Sequence, residues 1–337
     1  MGPLIDLAVS SQLKTNFKIL DIGTGPGSLP VGVLELYKVL AEKFSKEEFN
    51  IDIYLIDSQK KFLEYAIFIL TKLKEHLPKN LNIRIYSKVC DVDSKANFIN
   101  DFKFDIISMS NFINHFEHNM DFNSFEFLSK LKNNLVDDGS IIVIEPGSED
   151  ECREMKLLRN RLVNEGIYNL FSPCLSIWDE RKNMNCSCFT TYSMPIKKPE
   201  LIRFLHQSGL NKNKYKEYVA FNYMVLRTDG LFKYPVCKNK QSYYTIREVV
   251  EGGFDEDKRY NIKGIVKKKS YRYNSFSICD GSISDREYWI RLENNVEDEV
   301  KELFNRLNMG ELVNLKKVQY KNKNFILDKK SKLEVFF

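Results

Sequence analysis

Residues 17–27 read Phe17-Lys18-Ile19-Leu20-Asp21-Ile22-Gly23-Thr24-Gly25-Pro26-Gly27, an apolar run that ends in an acid and then in three alternate glycines. FKILDIG (17–23) predicts a strand, and LPVGVLELYKVLAEKF (29–44) predicts the helix after it. Glycines at such a junction permit a tight turn and let a ligand come close to the main chain. Their spacing is Gly-x-Gly-x-Gly, not the Gly-x-Gly-x-x-Gly of dinucleotide-binding turns.

The same alternation continues outward. IDIYLID (51–57) predicts a second strand and SQKKFLEYAIFILTKLKEHL (58–77) its helix. NIRIYSKVCD (82–91), FDIISMSN (104–111) and GSIIVIEPG (139–147) predict three more strands. Strands and helices alternating at this distance form a parallel sheet covered on both faces. Ligands bind such sheets beyond the carboxyl ends of the strands. Polar residues collect there: Asp21 at the first end, Asp57 and Ser58 at the second, Cys90-Asp91-Val92 at the third, and Ser108-Met109-Ser110-Asn111 at the fourth. The Asp57 carboxylate can accept both hydroxyls of a ribose.

Over residues 17–147 this pattern resembles the class I methyltransferases. The resemblance implies an α/β, Rossmann-like domain that holds S-adenosylmethionine. Its cofactor contacts would be Asp21, Gly23, Thr24, Gly25, Pro26 and Gly27, with Asp57 and Ser58, Asp91 and Val92, and Ser110 and Asn111. Asp21 would lie near the methionine amino group, Asp91 and Val92 near adenine, and Ser110 and Asn111 beside the reactive methyl. The competing reading is a nucleotide-binding fold with another ligand.

No catalytic signature follows the fourth strand. Base-amino methylating enzymes often carry Asn/Asp-Pro-Pro-aromatic there, and this chain has Ser110-Asn111-Phe112-Ile113. Cytosine C5 enzymes need a thiolate near that strand or the next, and neither predicted strand end has a cysteine. Asn111, His115 and Glu145 fall near the expected methyl position, but residues placed so more often orient loops. No catalytic base is assigned.

From Ile144 onward a narrower resemblance appears, carried by Ile144-Glu145-Pro146-Gly147-Ser148, a helix with Arg159 and Leu162, Ser172-Pro173-Cys174, and the strand-like stretch Lys216 to Arg227. Over roughly residues 17–240 the chain resembles the mitochondrial small-ribosomal-subunit methyltransferase-like family, which has bacterial and archaeal relatives. This implies a methyltransferase acting on small-subunit ribosomal RNA. The alternative is a catalytically silent assembly factor that binds S-adenosylmethionine and a metal. A protein or small-molecule methyltransferase is a third reading.

The seven cysteines are an odd number, and a reducing compartment disfavours disulfides. Cys174, Cys186 and Cys188 fall in a cysteine-rich insert at about 170–192, with Cys237 downstream. Four thiolates suffice for a 4Fe–4S cluster or a tetrahedral zinc; buried apolar cysteines are the other possibility. The resemblance implies the cluster ahead of zinc, although Pro173-Cys174-Leu175-Ser176 departs from the family's Pro-Cys-Pro-His.

Residues 1–238 are read as the first domain and 239–337 as a second. RYNIKGIVKKKSYRYNSFSICDGS (259–282) predicts two strands and REYWIRLE (286–293) a third. VEDEVKELFNRLNM (296–309) predicts a helix, and residues 311–337 two further strands. That is the order of an OB-fold, a β-barrel that often binds oligonucleotides. Residues 238–337 hold 21 Lys and Arg against 16 Asp and Glu, whereas 1–237 hold 30 of each, so the net charge of +5 belongs to the C-terminal third. Tyr271, Tyr273, Phe276, Tyr288 and Trp289 are candidates for base stacking, and strand alternation should bury about half of them. Lys267, Lys268, Lys269, Arg272, Lys316, Lys317, Lys321 and Lys323 could contact phosphates or merely protect strand edges. RNA is the expected partner, with no DNA and no membrane. No apolar run approaches the ~20 residues of a membrane span. The N-terminal stretch also lacks the pattern of a secretory leader or a myristoylation site. The expected location is cytoplasmic.

Overall fold

The structure is a computed structural model that describes residues 2–92, 102–116, 122–173, 192–195, 204, 208, 218–233, 242–252, 258–282 and 288–336. These form two compact units, one ending at Leu231 and the other starting at Phe232.

In the first unit, β1 (Asn16–Ile22), β2 (Phe49–Asp57), β3 (Leu81–Val89), β4 (Phe104–Ser110) and β5 (Leu135–Pro146) pair in parallel in the order β3-β2-β1-β4-β5. Beyond β5 lie β6 (Asn169–Ser172), β7 (Tyr192–Pro195) and β8 (Tyr218–Arg227). Strand β8 runs antiparallel to β5, and β6 and β7 both pair with β8. The central strands are covered on both faces, which is why they read as nearly unbroken apolar runs: Ile19, Ile22, Ile53, Ile107, Ile141 and Val143 are fully buried. Helices α2 (Ser28–Lys43) and α3 (Lys60–Lys74) bury Val33, Leu34, Tyr37, Leu63, Ala66 and Leu70 in one core with Ile19, Ile51 and Ile53. Helices α4 (Ser124–Leu131) and α5 (Glu149–Asn164) bury Phe127, Leu128, Leu131 and Leu162, and a capping box between Ser148 and Glu151 starts α5.

Several elements have no counterpart in the sequence reading, and the first of them begins the chain. Residues Gly2–Val9 form α1, whose Leu4 and Leu7 join the core and whose Asp6 accepts a 2.8 Å bond from the Tyr223 hydroxyl. Each such leucine contributes roughly 1.5–3 kcal/mol on burial. At eight residues the helix is too short to be stable alone, so it owes its existence to this docking.

The second unit contains α6 (Ile246–Glu251), β9 (Tyr260–Ser270), β10 (Ser275–Cys279), β11 (Tyr288–Leu292), α7 (Asp298–Arg306), β12 (Leu312–Lys321), β13 (Asn324–Leu327) and β14 (Lys332–Phe336). Strands β9, β10, β11, β13 and β12 pair in a closed ring, with β11 parallel to β13 and β12 returning to β9. This closed five-stranded barrel, with its helix between the third and fourth strands, has the architecture of an OB-fold. The tail holds three strands, not the two expected. Asn322 and Lys323, both at positive φ (49° and 61°), make a two-residue hairpin turn that splits 312–327 into β12 and β13. The remaining residues add β14 along β12 outside the ring.

Candidate ligand cleft and barrel face

Strand β1 runs straight into the glycine turn, where Gly23, Gly25 and Gly27 have φ of 65°, 53° and 87°. These left-handed conformations suit glycine, and each glycine also meets different surroundings. A Cβ on Gly23 would sit 2.4 Å from the Phe112 ring, and one on Gly27 would sit 3.1 Å from Ala66 Cβ on α3. A Cβ on Gly25 would have nothing within 4 Å. The first glycine thus makes room for an aromatic ring, the third for helix packing, and the second faces open space.

Two carboxylates shape the turn. Asp57, at the end of β2, accepts the Gly25 N–H at Oδ2 and the Gln59 N–H at Oδ1, both at 2.8 Å. Asp21 is buried; its Oδ1 accepts the Ser108 hydroxyl at 2.7 Å and its Oδ2 the Thr24 hydroxyl at 2.8 Å. Burial pushes the Asp21 carboxyl up to about 6, against the pull of those two hydroxyls and with added repulsion from Asp57.

Around these groups lies a cleft of ≈ 530 Å³ at the carboxyl ends of the strands. Asp21, Gly23, Thr24, Gly25, Pro26, Asp57, Ser58, Asp91, Val92, Ser110 and Asn111 line it together. Gly27 does not: it caps α2 and packs on Ala66. Ser28, Leu29, Gln59 and Phe62 line the cleft without having been singled out in the sequence, and Cys90 and Phe112, quoted there but not named as contacts, line it too. Phe62 carried a signal, an aromatic residue one turn into a helix that begins at a strand's carboxyl end.

Glu145 is built into the wall behind the cleft. It is 1% exposed, and its Oε1 accepts the N–H groups of Phe112 (3.1 Å) and Ile113 (2.8 Å). Asn114 N–H also donates to this carboxylate. Burial pushes the Glu145 carboxyl up to about 7 despite those three donors. The loop-orienting role expected of such a residue is the one observed for Glu145. His115 follows in the same short 3-10 turn, Ile113–Phe116.

Cys174, Cys186, Cys188 and Cys237, together with most of the insert at 170–192, lie outside the described residues. Among the described residues no cluster of His, Cys, Asp and Glu could hold a metal ion, and Cys90, Cys152 and Cys279 form no disulfide. Also among the described residues, no helix is long and apolar enough to cross a membrane.

In the barrel, Phe276 and Tyr288 are buried in the core, Trp289 is half-buried, and Tyr271 and Tyr273 stand exposed at the β9–β10 turn. Lys269 Nζ lies 4.5 Å from the Tyr271 ring centre and Arg272 lies 5.4 Å from that of Tyr273. Lys269 also donates to the Asn305 and Leu307 carbonyls at the end of α7, and Lys316 pairs with Glu334, so both cations have partners within the fold. Lys268, Ser277 and Trp289 stand opposite one another across β9, β10 and β11. Lys317, Lys321 and Lys323 occur at the β12 bulge and hairpin turn.

A Rossmann-like sheet with one antiparallel strand inserted beside β5, and a glycine-lined cleft at its carboxyl edge, is the arrangement of class I methyltransferases. Residues 13–222 match the family described as methyltransferase domain, and the chain belongs to that family. A search of curated proteins found no match. Among solved structures the chain is similar to a methyltransferase of Geobacter sulfurreducens in complex with S-adenosyl-L-homocysteine, with 13% identity, 67% of this chain and 90% of that one covered, and a TM-score of 0.34. It is also similar to a S-adenosylmethionine-dependent methyltransferase of Aquifex aeolicus, with 22% identity, 50% and 81% covered, and a TM-score of 0.33. A third, from Methanosarcina mazei, has 14% identity, 65% and 95% covered, and a TM-score of 0.32.

Proposed function

We propose that the protein is a S-adenosylmethionine-dependent RNA methyltransferase acting on small-subunit ribosomal RNA. The observation that carries the cofactor is the pair of carboxylates on adjacent strands: Asp21 buried beside the glycine turn, and Asp57 bonded to that turn at the cleft. Asp21 would meet the methionine ammonium and Asp57 the ribose hydroxyls, with Asp91 and Val92 at the adenine and Ser110 and Asn111 near the methyl. The bound cofactor supplies an electrophilic methyl; the chain orients it and screens it from water.

The RNA substrate is supported by the basic barrel, whose exposed Tyr271 and Tyr273 each have a cation over the ring. Cys174, Cys186, Cys188 and Cys237 complete the reading as thiolate ligands of a 4Fe–4S cluster, or of zinc. Their number and the family resemblance are what support it.

A second reading, a silent assembly factor, is favoured by one observation: Glu145 holds backbone N–H groups and does not line the cleft. Calorimetry with S-adenosylmethionine and S-adenosylhomocysteine tests the cofactor, and absence of binding at millimolar ligand refutes it. Transfer of labelled methyl to precursor ribosomal RNA then separates the readings. Turnover supports the enzyme, whereas binding to small subunits without turnover supports the assembly factor.

A further inference from the structure

The geometry points to Glu145 as the residue that positions the methyl-side wall of the cleft, acting through the N–H groups of residues 112–114 without touching the ligand. The inference rests on the reading that this cleft takes S-adenosylmethionine.

Four observations converge. Glu145 is buried at the end of β5, one strand away from the loop it controls. Its Oε1 gathers Phe112 N–H and Ile113 N–H, and Asn114 N–H joins them at the carboxylate, so consecutive peptide units turn inward to one side chain. The preceding Asn111 holds a left-handed φ of 51°, and its N–H bonds to the Ile144 carbonyl at 2.8 Å. Asn111 and Phe112, the two residues so placed, line the cleft, and the Phe112 ring packs against Gly23 of the glycine turn.

Stability alone gives no reason for a carboxylate here. Glu145 Oε2 is buried with no hydrogen-bond partner among the described residues, and an unsatisfied buried oxygen destabilises a fold. What the acid provides is an acceptor long enough to reach three amides, and local cost of this kind concentrates where a site must be held in shape. Asn222 stands opposite Glu145 on β8 and donates to the Pro146 carbonyl at 2.5 Å, which fixes the neighbouring main chain and leaves the Glu145 oxygens to the loop.

The test uses the full chain with Glu145→Gln and Glu145→Asp. Gln keeps a carbonyl oxygen at the same reach, while Asp keeps the charge but withdraws by one methylene. Hydrogen–deuterium exchange of the segment 108–116 is measured without ligand, and S-adenosylhomocysteine affinity by calorimetry. E145D should speed exchange at residues 112–114 and weaken S-adenosylhomocysteine, each about tenfold, as expected for lost buried hydrogen bonds. E145Q should stay within about threefold of wild type on both. If E145D matches wild type, or if E145Q is as damaging as E145D, the positioning role is wrong. Should wild type fail to bind S-adenosylhomocysteine, the cofactor reading falls while exchange still decides whether Glu145 holds the loop.

Discussion

The Phe112 ring occupies the space that a side chain on Gly23 would fill, with only 2.4 Å between the ring and a Cβ built on that glycine. Two segments far apart in sequence, the turn after β1 and the loop after β4, are therefore fitted to each other before any ligand arrives. Gly23→Ala should force Phe112 aside, destabilise the fold by about 2–3 kcal/mol and weaken S-adenosylhomocysteine at least tenfold. Gly25→Ala has open space and only φ strain, about 1 kcal/mol, so it should fold nearly as well as wild type yet obstruct the cleft. Urea melts and calorimetry on the two variants separate these effects.

Asp21 should make the affinity for S-adenosylhomocysteine depend on pH. Its carboxyl lies at about 6 in the fold, raised by burial, and only the ionised form attracts the methionine ammonium. Affinity for S-adenosylhomocysteine should rise as pH goes from about 5 to about 7. Asp21→Asn should bind roughly tenfold more weakly and show no such rise. A flat wild-type profile over that range would count against Asp21 at the amino group.

Glu145 leaves its mark on stability. Its folded value of about 7 stands above the ordinary 4.5, chiefly through burial and slightly through repulsion from Glu151. The unfolded chain releases this proton first, so the stability contributed by Glu145 is fully present below about 4.5 and is lost as pH rises through about 7. Glu145→Gln should flatten that decline, leaving the smaller one contributed by Asp21, and should be more stable than wild type above about pH 7. Denaturant midpoints across that range are the measurement.

Tyr271 and Tyr273 should carry much of the barrel's affinity for single-stranded RNA. Stacking is worth about 1–3 kcal/mol per base, so replacing both with Ala in the full chain should cost at least tenfold. Arg272→Ala should instead reduce the dependence of affinity on salt. RNA titrations at several ionic strengths would show both effects, and unchanged binding in the double variant would remove this face from the reading.

For the cysteine cluster, iron, sulfide and zinc are determined after anaerobic purification. Stoichiometric iron and sulfide are expected, and a change of Cys188 to Ser should lower them. A preparation free of iron, sulfide and zinc refutes the site.

Much of the sheet could be read from the chain because buried parallel strands must be apolar throughout and their ends must turn on glycine and polar residues. That logic located β1, β2, β4 and the cleft residues from Asp21 to Pro26. It did not reveal why Gly23 is glycine, since the reason is a ring nearly ninety positions later. Nor could it show that Gly27 caps α2 and lies close against Ala66. Helix α1 was missed because its short pattern gains stability only from partners on β8 and in the core. The extra barrel strand was missed because Asn-Lys at 322–323 is a less obvious turn than Asn-Gly, although Asn tolerates the conformation required. Alternation correctly implied that only some barrel aromatics are free to stack, but it could not say that Phe276 and Tyr288 are the buried ones.

Asp57 is already holding two main-chain amides, one from the glycine turn and one from the start of α3. A sugar arriving there finds a carboxylate whose direction is set, and it must use the lone pairs that remain. The side chain is thus a shared hinge pin: altering it to change how the sugar is gripped also loosens the two segments that frame the opening, and ligand preference at this corner cannot be tuned independently of the shape of the entrance.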